Sequence, residues 1–108
     1  MQIKLTTKGR KTGRDRTVTL YAWEDGDDLI VVGSWAGRAQ DPDWAGNLRD
    51  QPKAVVTHGK DTTDVVAREL DGRERERAWD LVVDRFPMYA TYQRKTTRRI
   101  PLFALRAR

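Results

Sequence analysis

The sequence has no cysteine and only one histidine, His58. The absence of cysteine excludes disulfide bonds and thiolate metal sites, and it is typical of a reducing, cytoplasmic setting. A single histidine excludes histidine-rich metal sites, so we predict no metal-binding residues. His58 alternates with Ala54 and Val56 on one face of a strand, which favours a structural role over that of a catalytic base. An enzyme with so few reactive side chains would depend on a bound cofactor.

Long hydrophobic segments are also missing from the chain. No apolar run approaches the roughly 20 residues that a membrane-spanning helix needs. The first residues lead directly into a strand-like pattern, so we expect no signal peptide. The chain has 108 residues, of which 38% are hydrophobic and 34% are charged. We therefore expect one domain over residues 1–108 with a modest core, located in the cytoplasm and without an integral membrane segment.

The excess positive charge lies in the first 17 residues. The formal net charge of the chain is +5. Residues 1–17 contain one acid, Asp15, and six cations: Lys4, Lys8, Arg10, Lys11, Arg14 and Arg16. The other fifteen cations of the chain are balanced by fifteen acids. Gly9 and Gly13 flank part of this cluster and allow backbone amides to face an anion. The pattern predicts a loop that binds a polyanionic ligand, with a solvated basic turn as the alternative.

Alternating and β-branched segments predict about six strands, mostly antiparallel. These segments cover residues 3–7, 17–23, 29–32, 54–58, 63–70 and 100–105. In the second strand Val18, Leu20 and Ala22 share one face, while hydroxyl and aromatic side chains occupy the other. The run at residues 29–32 is apolar throughout, which predicts burial on both faces. A glycine-containing turn at residues 25–28 joins two of these strands into a hairpin.

Three helical pieces are predicted around these strands. The first starts near Asp41 as cap, with Pro42 at its first position, and ends before Pro52. The second starts at Asp71, and its apolar stripe comprises Trp79, Val82, Val83 and Phe86. The third runs from residue 88 to about residue 96 and puts two tyrosines on one face. A basic cluster follows, predicted as a solvated face: Arg94, Lys95, Arg98 and Arg99. Together the elements predict a small closed or partly open β-barrel with helices outside.

Five short segments of the chain occur in an order and spacing that we recognise. They are Gly9-Arg10-Lys11-Thr12-Gly13, Arg16-Thr17-Val18, Ser34-x-x-Gly37, Pro42-x-Trp44-x-x-Asn47-Leu48 and Pro87-x-Tyr89-x-x-Tyr92-Gln93. From about residue 5 to residue 105 the chain resembles the deazaflavin-dependent nitroreductase family. The resemblance implies a mainly β (α+β) fold, a split β-barrel with peripheral helices. It also implies an oxidoreductase that uses reduced coenzyme F-420 to pass a hydride to an organic acceptor.

The same resemblance implies which residues form the site. On the cofactor side it points to Arg10, Lys11, Thr12, Arg16, Thr17, Val18, Thr19, Leu20, Tyr21, Val32, Gly33, Ser34, Trp35, Asp43, Trp44, Ala45, Gly46 and Asn47. On the substrate side it points to Tyr21, Tyr89 and Tyr92, and no catalytic residue is assigned. The phosphodiester and oligoglutamate tail of coenzyme F-420 would match the cations of the first turn. Trp35 and Ala36 stand where the family commonly has Lys and Gly, and Ala45 stands where Tyr is usual.

Two other functions are weighed against this interpretation. The same barrel could bind FMN, as in the related pyridoxamine oxidase group, although one terminal phosphate would need fewer cations. A basic nucleic-acid-binding module would fit the isoelectric point of about 9.9. However, the charge outside the first 17 residues sums to zero and no nucleic-acid motif is present, so we predict no nucleic-acid partner. The expected partners are a small-molecule cofactor and an organic acceptor, and the chain is expected to be a monomer or a homodimer.

Overall fold

The computed structural model describes residues 1–108 and contains one antiparallel sheet of seven strands. The strands are β1 (Gln2–Lys8), β2 (Asp15–Tyr21), β3 (Trp23–Asp25), β4 (Asp28–Val32), β5 (Lys53–His58), β6 (Asp61–Glu69) and β7 (Leu102–Ala107). Their order across the sheet is β2-β1-β5-β6-β7-β4-β3. The predicted mainly β, antiparallel barrel is confirmed. His58 lies exposed at the end of β5.

The sheet has one strand more than predicted, because residues 17–23 do not form a single strand. β2 ends at Tyr21 and β3 begins at Trp23. Between them Ala22 is fully buried and exchanges backbone hydrogen bonds with Met1, at 2.7 and 2.8 Å. β2 pairs with β1, whereas β3 pairs with β4 at the other end of the sheet order. The chain therefore crosses from one edge of the sheet to the other at Ala22, and this crossing curls the sheet into a partly open barrel.

Three helices and one 3-10 turn accompany the sheet. They are the turn at Trp35–Gly37, α1 (Asp43–Asp50), α2 (Gly72–Arg85) and α3 (Met88–Arg94). The prediction that Asp41 caps α1 is wrong. Pro42 occupies that position with an extended backbone, and the Asp41 carboxylate instead accepts hydrogen bonds from Arg49 and Arg98, both at 2.8 Å. Asp71 does cap α2, because its carboxylate accepts from the amide of Gly72 at 2.8 Å.

Two apolar clusters hold these layers together. The first joins the inner face of the barrel to α1, where Trp44 and Leu48 pack against Leu5 and Phe103. The second lies on the outer face of β4 and β7 and is covered by Ala78 and Val82 of α2 and by Tyr89 of α3. β4 contributes to both clusters, which confirms its predicted burial on two faces. Each fully buried large aliphatic side chain contributes about 1.5–3 kcal/mol. None of the helices is long and apolar enough to span a membrane.

Candidate functional site

The turn between β1 and β2, residues 9–14, is held in shape by its own backbone. We call it the basic turn. The amide of Gly9 donates to the carbonyl of Arg14 at 2.7 Å, and the amide of Gly13 donates to the carbonyl of Gly9 at 2.7 Å. Gly13 has a φ of 73°, a left-handed conformation that suits glycine. A Cβ atom on Gly9 would lie 3.0 Å from the Arg14 carbonyl oxygen. The two glycines are therefore required by the turn itself.

Arg10 fastens the basic turn to α1. Its amide and its Nη1 atom donate to Oδ1 of Asn47 at 3.1 and 2.9 Å, and Nη1 also donates to the Asp43 carbonyl at 3.0 Å. The guanidinium lies over Gly46, where a Cβ atom would be only 2.9 Å from Cζ of Arg10. Asn47 is buried and donates in turn to the hydroxyl of Thr7 at 3.1 Å. Hydrogen bonds among Thr7, Arg10, Asp43 and Asn47 thus fix the position of the turn on the barrel.

A cleft of about 590 Å³ lies between the basic turn, the start of β2 and the start of α1. It is lined by Gly9, Arg10, Lys11, Thr12, Asp15, Arg16, Thr17, Val18, Asp43, Trp44 and Asn47. Nine of these eleven are residues that the resemblance implied. Asp15 pairs with Lys8 at 3.6 Å and Asp43 pairs with Arg10 at 3.5 Å. Lys11 and Arg16 form no ion pair, so the cleft carries two uncompensated positive charges.

β2 leads from this cleft to a group of aromatic side chains. Its residues Thr17, Thr19 and Tyr21 are exposed, whereas Val18 and Leu20 pack against the core. This alternation confirms the two faces predicted from the sequence. At about 3.3 Å per residue, Arg16 and Tyr21 are separated by about 17 Å along the strand. β2 therefore presents a polar surface with cations at one end and an aromatic ring, 60% exposed, at the other.

Five aromatic residues, beginning with Tyr21, form a connected row. The row comprises Tyr21, Trp23, Tyr89, Phe86 and Tyr92. The ring centroids of Tyr21 and Trp23 are 6.3 Å apart in a stacked arrangement, and those of Trp23 and Tyr89 are 6.3 Å apart edge to face. Phe86 then contacts Tyr89 at 4.9 Å and Tyr92 at 6.4 Å. The row brings together the three tyrosines implied for the substrate side. The sequence reasoning assigned Trp23 and Phe86 no place in the site.

The phenol of Tyr89 is fixed within this row. Nε1 of Trp23 donates to the Tyr89 hydroxyl oxygen at 3.0 Å, and Tyr89 is only 6% exposed. Burial raises the pKa of Tyr89 above its ordinary value, although the hydrogen bond from Trp23 acts in the opposite direction. The hydroxyl therefore keeps its proton at neutral pH and remains a hydrogen-bond donor.

The loop between β4 and α1, residues 33–42, is held by one arginine. Arg98 donates to the carbonyls of Gly33, Ser34 and Arg38 at 3.1, 2.8 and 2.8 Å, and its side chain is 13% exposed. The prediction that residue 98 belongs to a solvated basic face is therefore wrong, because the folded chain surrounds it with acceptors. Within the loop, the guanidinium of Arg38 lies 4.5 Å from the Trp35 ring centroid.

Several residues implied for the cofactor side lie outside the cleft. Ala45 is fully buried in the core, and Gly46 faces Arg10. Val32 and Gly33 are buried at the end of β4, while Ser34 and the exposed Trp35 lie in the loop that follows. Thr19, Leu20 and Tyr21 lie further along β2. Nine of the eighteen residues implied for the cofactor side therefore line the cleft, and the other nine lie elsewhere.

Comparison with known proteins places the chain among F-420-dependent enzymes. The family model for F-420H(2)-dependent quinone reductase matches residues 1–107. A Mycobacterium tuberculosis H37Rv protein named as such a reductase is 34% identical over 106 residues, 98% of this chain and 89% of that protein. The solved structure of an F-420-H2-dependent reductase has a TM-score of 0.86 at 39% identity, covering 96% of this chain and 92% of that one.

A second solved structure, described as a domain-swapped dimer, has a TM-score of 0.87 at 39% identity and covers 96% of this chain and 78% of that chain. These matches extend over almost the whole chain, including all five segments on which the resemblance rested. They confirm that resemblance, together with the oxidoreductase class it implied. The chain belongs to the F-420H(2)-dependent quinone reductase family.

Proposed function

We propose that this protein binds reduced coenzyme F-420 along β2 and reduces an organic acceptor, of the quinone type, beside the aromatic row. The anionic tail of the coenzyme would lie on the basic turn and its flat ring near Tyr21. The observation that carries the proposal is the pair of uncompensated cations, Lys11 and Arg16, in a cleft whose other charges are paired. Such a cleft favours the binding of an anionic ligand.

The donor set of the cleft fits the coenzyme. Coenzyme F-420 carries a phosphodiester and a chain of glutamates, so its non-reactive half is a series of anions. Arg16 offers a planar fork for the phosphodiester and Lys11 a point charge for a carboxylate. The Thr12 hydroxyl accepts from the amide of Arg14 at 3.2 Å, and its own proton is available to a ligand. The proposed ligand is long, which agrees with the distance of about 17 Å along β2 between Arg16 and Tyr21.

When bound, the reduced deazaflavin supplies the hydride, so the protein needs to position the reactants and exclude water. The exposed ring of Tyr21 offers a flat surface for an aromatic acceptor. Tyr89, which keeps its proton, would donate a hydrogen bond to an acceptor oxygen and could deliver that proton as negative charge develops there. One hydride and one proton convert a quinone to its hydroquinone, and the Tyr89 phenolate would then recover its proton from water.

A titration of the purified protein with coenzyme F-420 and with FMN tests this proposal. Fluorescence quenching should show tighter binding of F-420 than of FMN, because FMN presents a single phosphate to several cations. Coenzyme with a longer glutamate tail should bind somewhat more tightly at low ionic strength, by about 0–1 kcal/mol per exposed contact, and the gain should fade with salt. Tighter binding of FMN would overturn the proposal. A salt-sensitive oligonucleotide complex without F-420 binding would overturn it in favour of a nucleic-acid module.

A further inference from the structure

Three successive residues of the β4–α1 loop have left-handed backbone conformations. The φ angles are 41° for Trp35, 55° for Ala36 and 79° for Gly37. Only the third is a glycine, so two residues with side chains occupy a region that L-residues avoid. Such conformations persist only where the surrounding structure imposes them, and they tend to occur where a ligand is bound. Something in the fold must therefore hold this loop in place.

Arg98 is the residue that meets this requirement. Its guanidinium donates to three backbone carbonyls of the loop on both sides of the strained residues, Gly33 and Ser34 before them and Arg38 after them. A fourth bond goes to Oδ1 of Asp41 at 2.8 Å. Because three of the four acceptors are backbone atoms, Arg98 fixes the course of the main chain itself.

Arg98 is itself held from two directions. The Gln93 side chain of α3 donates to the carbonyl of Arg98 at 2.7 Å and accepts from the amide of Ile100 at 3.0 Å. On the other side, Asp41 also binds Arg49, which pairs in turn with Glu69 at 2.8 Å. The backbone of Arg98 is thus held by α3, while Asp41, near the end of the loop, is tied through Arg49 to the β6 end of the sheet.

We propose that Arg98 is a positioning residue for the cofactor site, which rests on the function proposed above. It holds Trp35 and Ala36 in their left-handed conformations and so places the Gly33–Trp35 segment where the coenzyme would bind. It also links that segment, through Gln93, to the helix that carries Tyr89 and Tyr92. Loss of Arg98 would remove its hydrogen bonds to the carbonyls of Gly33, Ser34 and Arg38, leaving Ser34 with only the Gly37 amide as donor, and the loop would relax away from its strained form.

The test compares Arg98→Ala with a variant that removes the strain. If Arg98 is needed because Ala36 is strained, a glycine at position 36 should lessen the need for it. The set is therefore Arg98→Ala, Arg98→Lys, Ala36→Gly and the double variant Arg98→Ala/Ala36→Gly, with Arg99→Ala as the matched control. Arg99 is the neighbouring arginine and pairs only with the exposed Asp71, at 3.4 Å.

Two measurements are made on each full-length variant. The first is the 19F NMR spectrum of the protein labelled with 5-fluorotryptophan and without cofactor, with the Trp35 resonance assigned by Trp35→Phe. The second is the Kd for coenzyme F-420. Arg98→Ala should shift or broaden the Trp35 resonance, leave that of Trp79 in place, and raise the Kd about tenfold. In the double variant the Kd should be about threefold lower than in Arg98→Ala. Ala36→Gly alone should change the Kd less than twofold, and Arg99→Ala should change neither the Trp35 resonance nor the Kd.

Each remaining outcome decides the proposal. An unchanged Trp35 resonance and Kd in Arg98→Ala would overturn it, as would a rise in Kd that Ala36→Gly does not lessen. Should Arg98→Ala fail to fold, Arg98→Lys takes its place, since lysine keeps the charge but cannot reach all the acceptors, and the same two criteria apply. If the parent protein itself does not bind F-420, the proposed function fails, while the Trp35 resonance still decides whether Arg98 holds the loop.

Discussion

At the scale of single residues, the cations of the basic turn have divided tasks. Arg10 gives its hydrogen bonds to α1, so it fixes the turn and has few donors left for a ligand. Lys11 and Arg16 line the same cleft and have no acidic partner. Substitutions within this turn should therefore distinguish the residue that holds the turn on α1 from the residues that bind the ligand.

Lys11→Ala and Arg16→Ala should each weaken coenzyme F-420 binding by about 1 kcal/mol at low ionic strength. Hydrogen bonds between charged groups contribute about 1.5–3 kcal/mol, but both side chains are exposed, so solvent reduces the effect. Fluorescence titration at two salt concentrations gives the measurement. Lys60→Ala is the control, because Lys60 is an exposed lysine in the β5–β6 turn and outside the cleft. A comparable loss in Lys60→Ala would show that overall charge, and not the basic turn, sets the affinity.

Tyr89→Phe should lower the free energy of unfolding by about 1–2 kcal/mol at neutral pH, because Nε1 of Trp23 loses its acceptor. The pKa of Tyr89 is raised in the folded protein, so its stabilising contribution is complete below the unfolded pKa of about 10 and is lost as pH rises through the folded pKa. Urea unfolding at neutral pH and above pH 10 should therefore show a smaller difference between parent and variant at the higher pH. A difference independent of pH would contradict the assigned role of burial.

At the scale of elements, the basic turn packs closely against α1 because Gly46 has no side chain. Gly46→Ala would place a Cβ atom 2.9 Å from Cζ of Arg10, and the flexible arginine would move away from the helix. Alanine is the better helix former by about 1 kcal/mol, which offsets the hydrogen bonds that Arg10 loses. We expect the melting temperature to stay nearly constant while the Kd for F-420 rises severalfold.

The matched control for that experiment is Arg10→Ala. It removes the same hydrogen bonds without adding a methyl group to α1, so it should raise the Kd and also lower the melting temperature. If Gly46→Ala destabilises the protein as much as Arg10→Ala does and leaves the Kd unchanged, the turn does not depend on its contact with α1.

Ala36→Gly should raise the free energy of unfolding by about 0.5–1 kcal/mol. A left-handed conformation costs a residue with a side chain about 1–2 kcal/mol, and glycine would relieve this cost. The greater freedom of glycine in the unfolded chain offsets part of that stabilisation. Gly37→Ala provides a test of opposite sign in the same loop, because its Cβ atom would lie 2.8 Å from the Tyr92 carbonyl oxygen. Thermal or urea unfolding gives the free energy of unfolding of both variants. Destabilisation by Ala36→Gly would mean that residue 36 is not strained.

At the scale of the whole molecule, the parts that the sequence predicted are those encoded over a few residues. The alternation in β2 and the apolar stripe of α2 follow from local periodicity, and the glycines of the basic turn have a local cause. Arg98 could not be predicted, because its acceptors Gly33 and Ser34 lie about 65 residues away in the chain. Its residue type only shows that it is charged. The break at Ala22 also involves a distant contact, because the residue exchanges hydrogen bonds with Met1, 21 positions away in the chain.

β2 is the terminal strand of the sheet order and the most exposed of the seven, so one row of its backbone amides and carbonyls has no strand beside it. Such an edge can pair with a strand from a second molecule. The proposed ligand would lie along the same strand and hinder such pairing, so protein without coenzyme should self-associate more readily than protein saturated with it. Light scattering of concentrated samples with and without F-420 would measure this. In that case the coenzyme would act as a solubilising partner for its own enzyme, and the amount of usable protein in a cell would follow the supply of coenzyme.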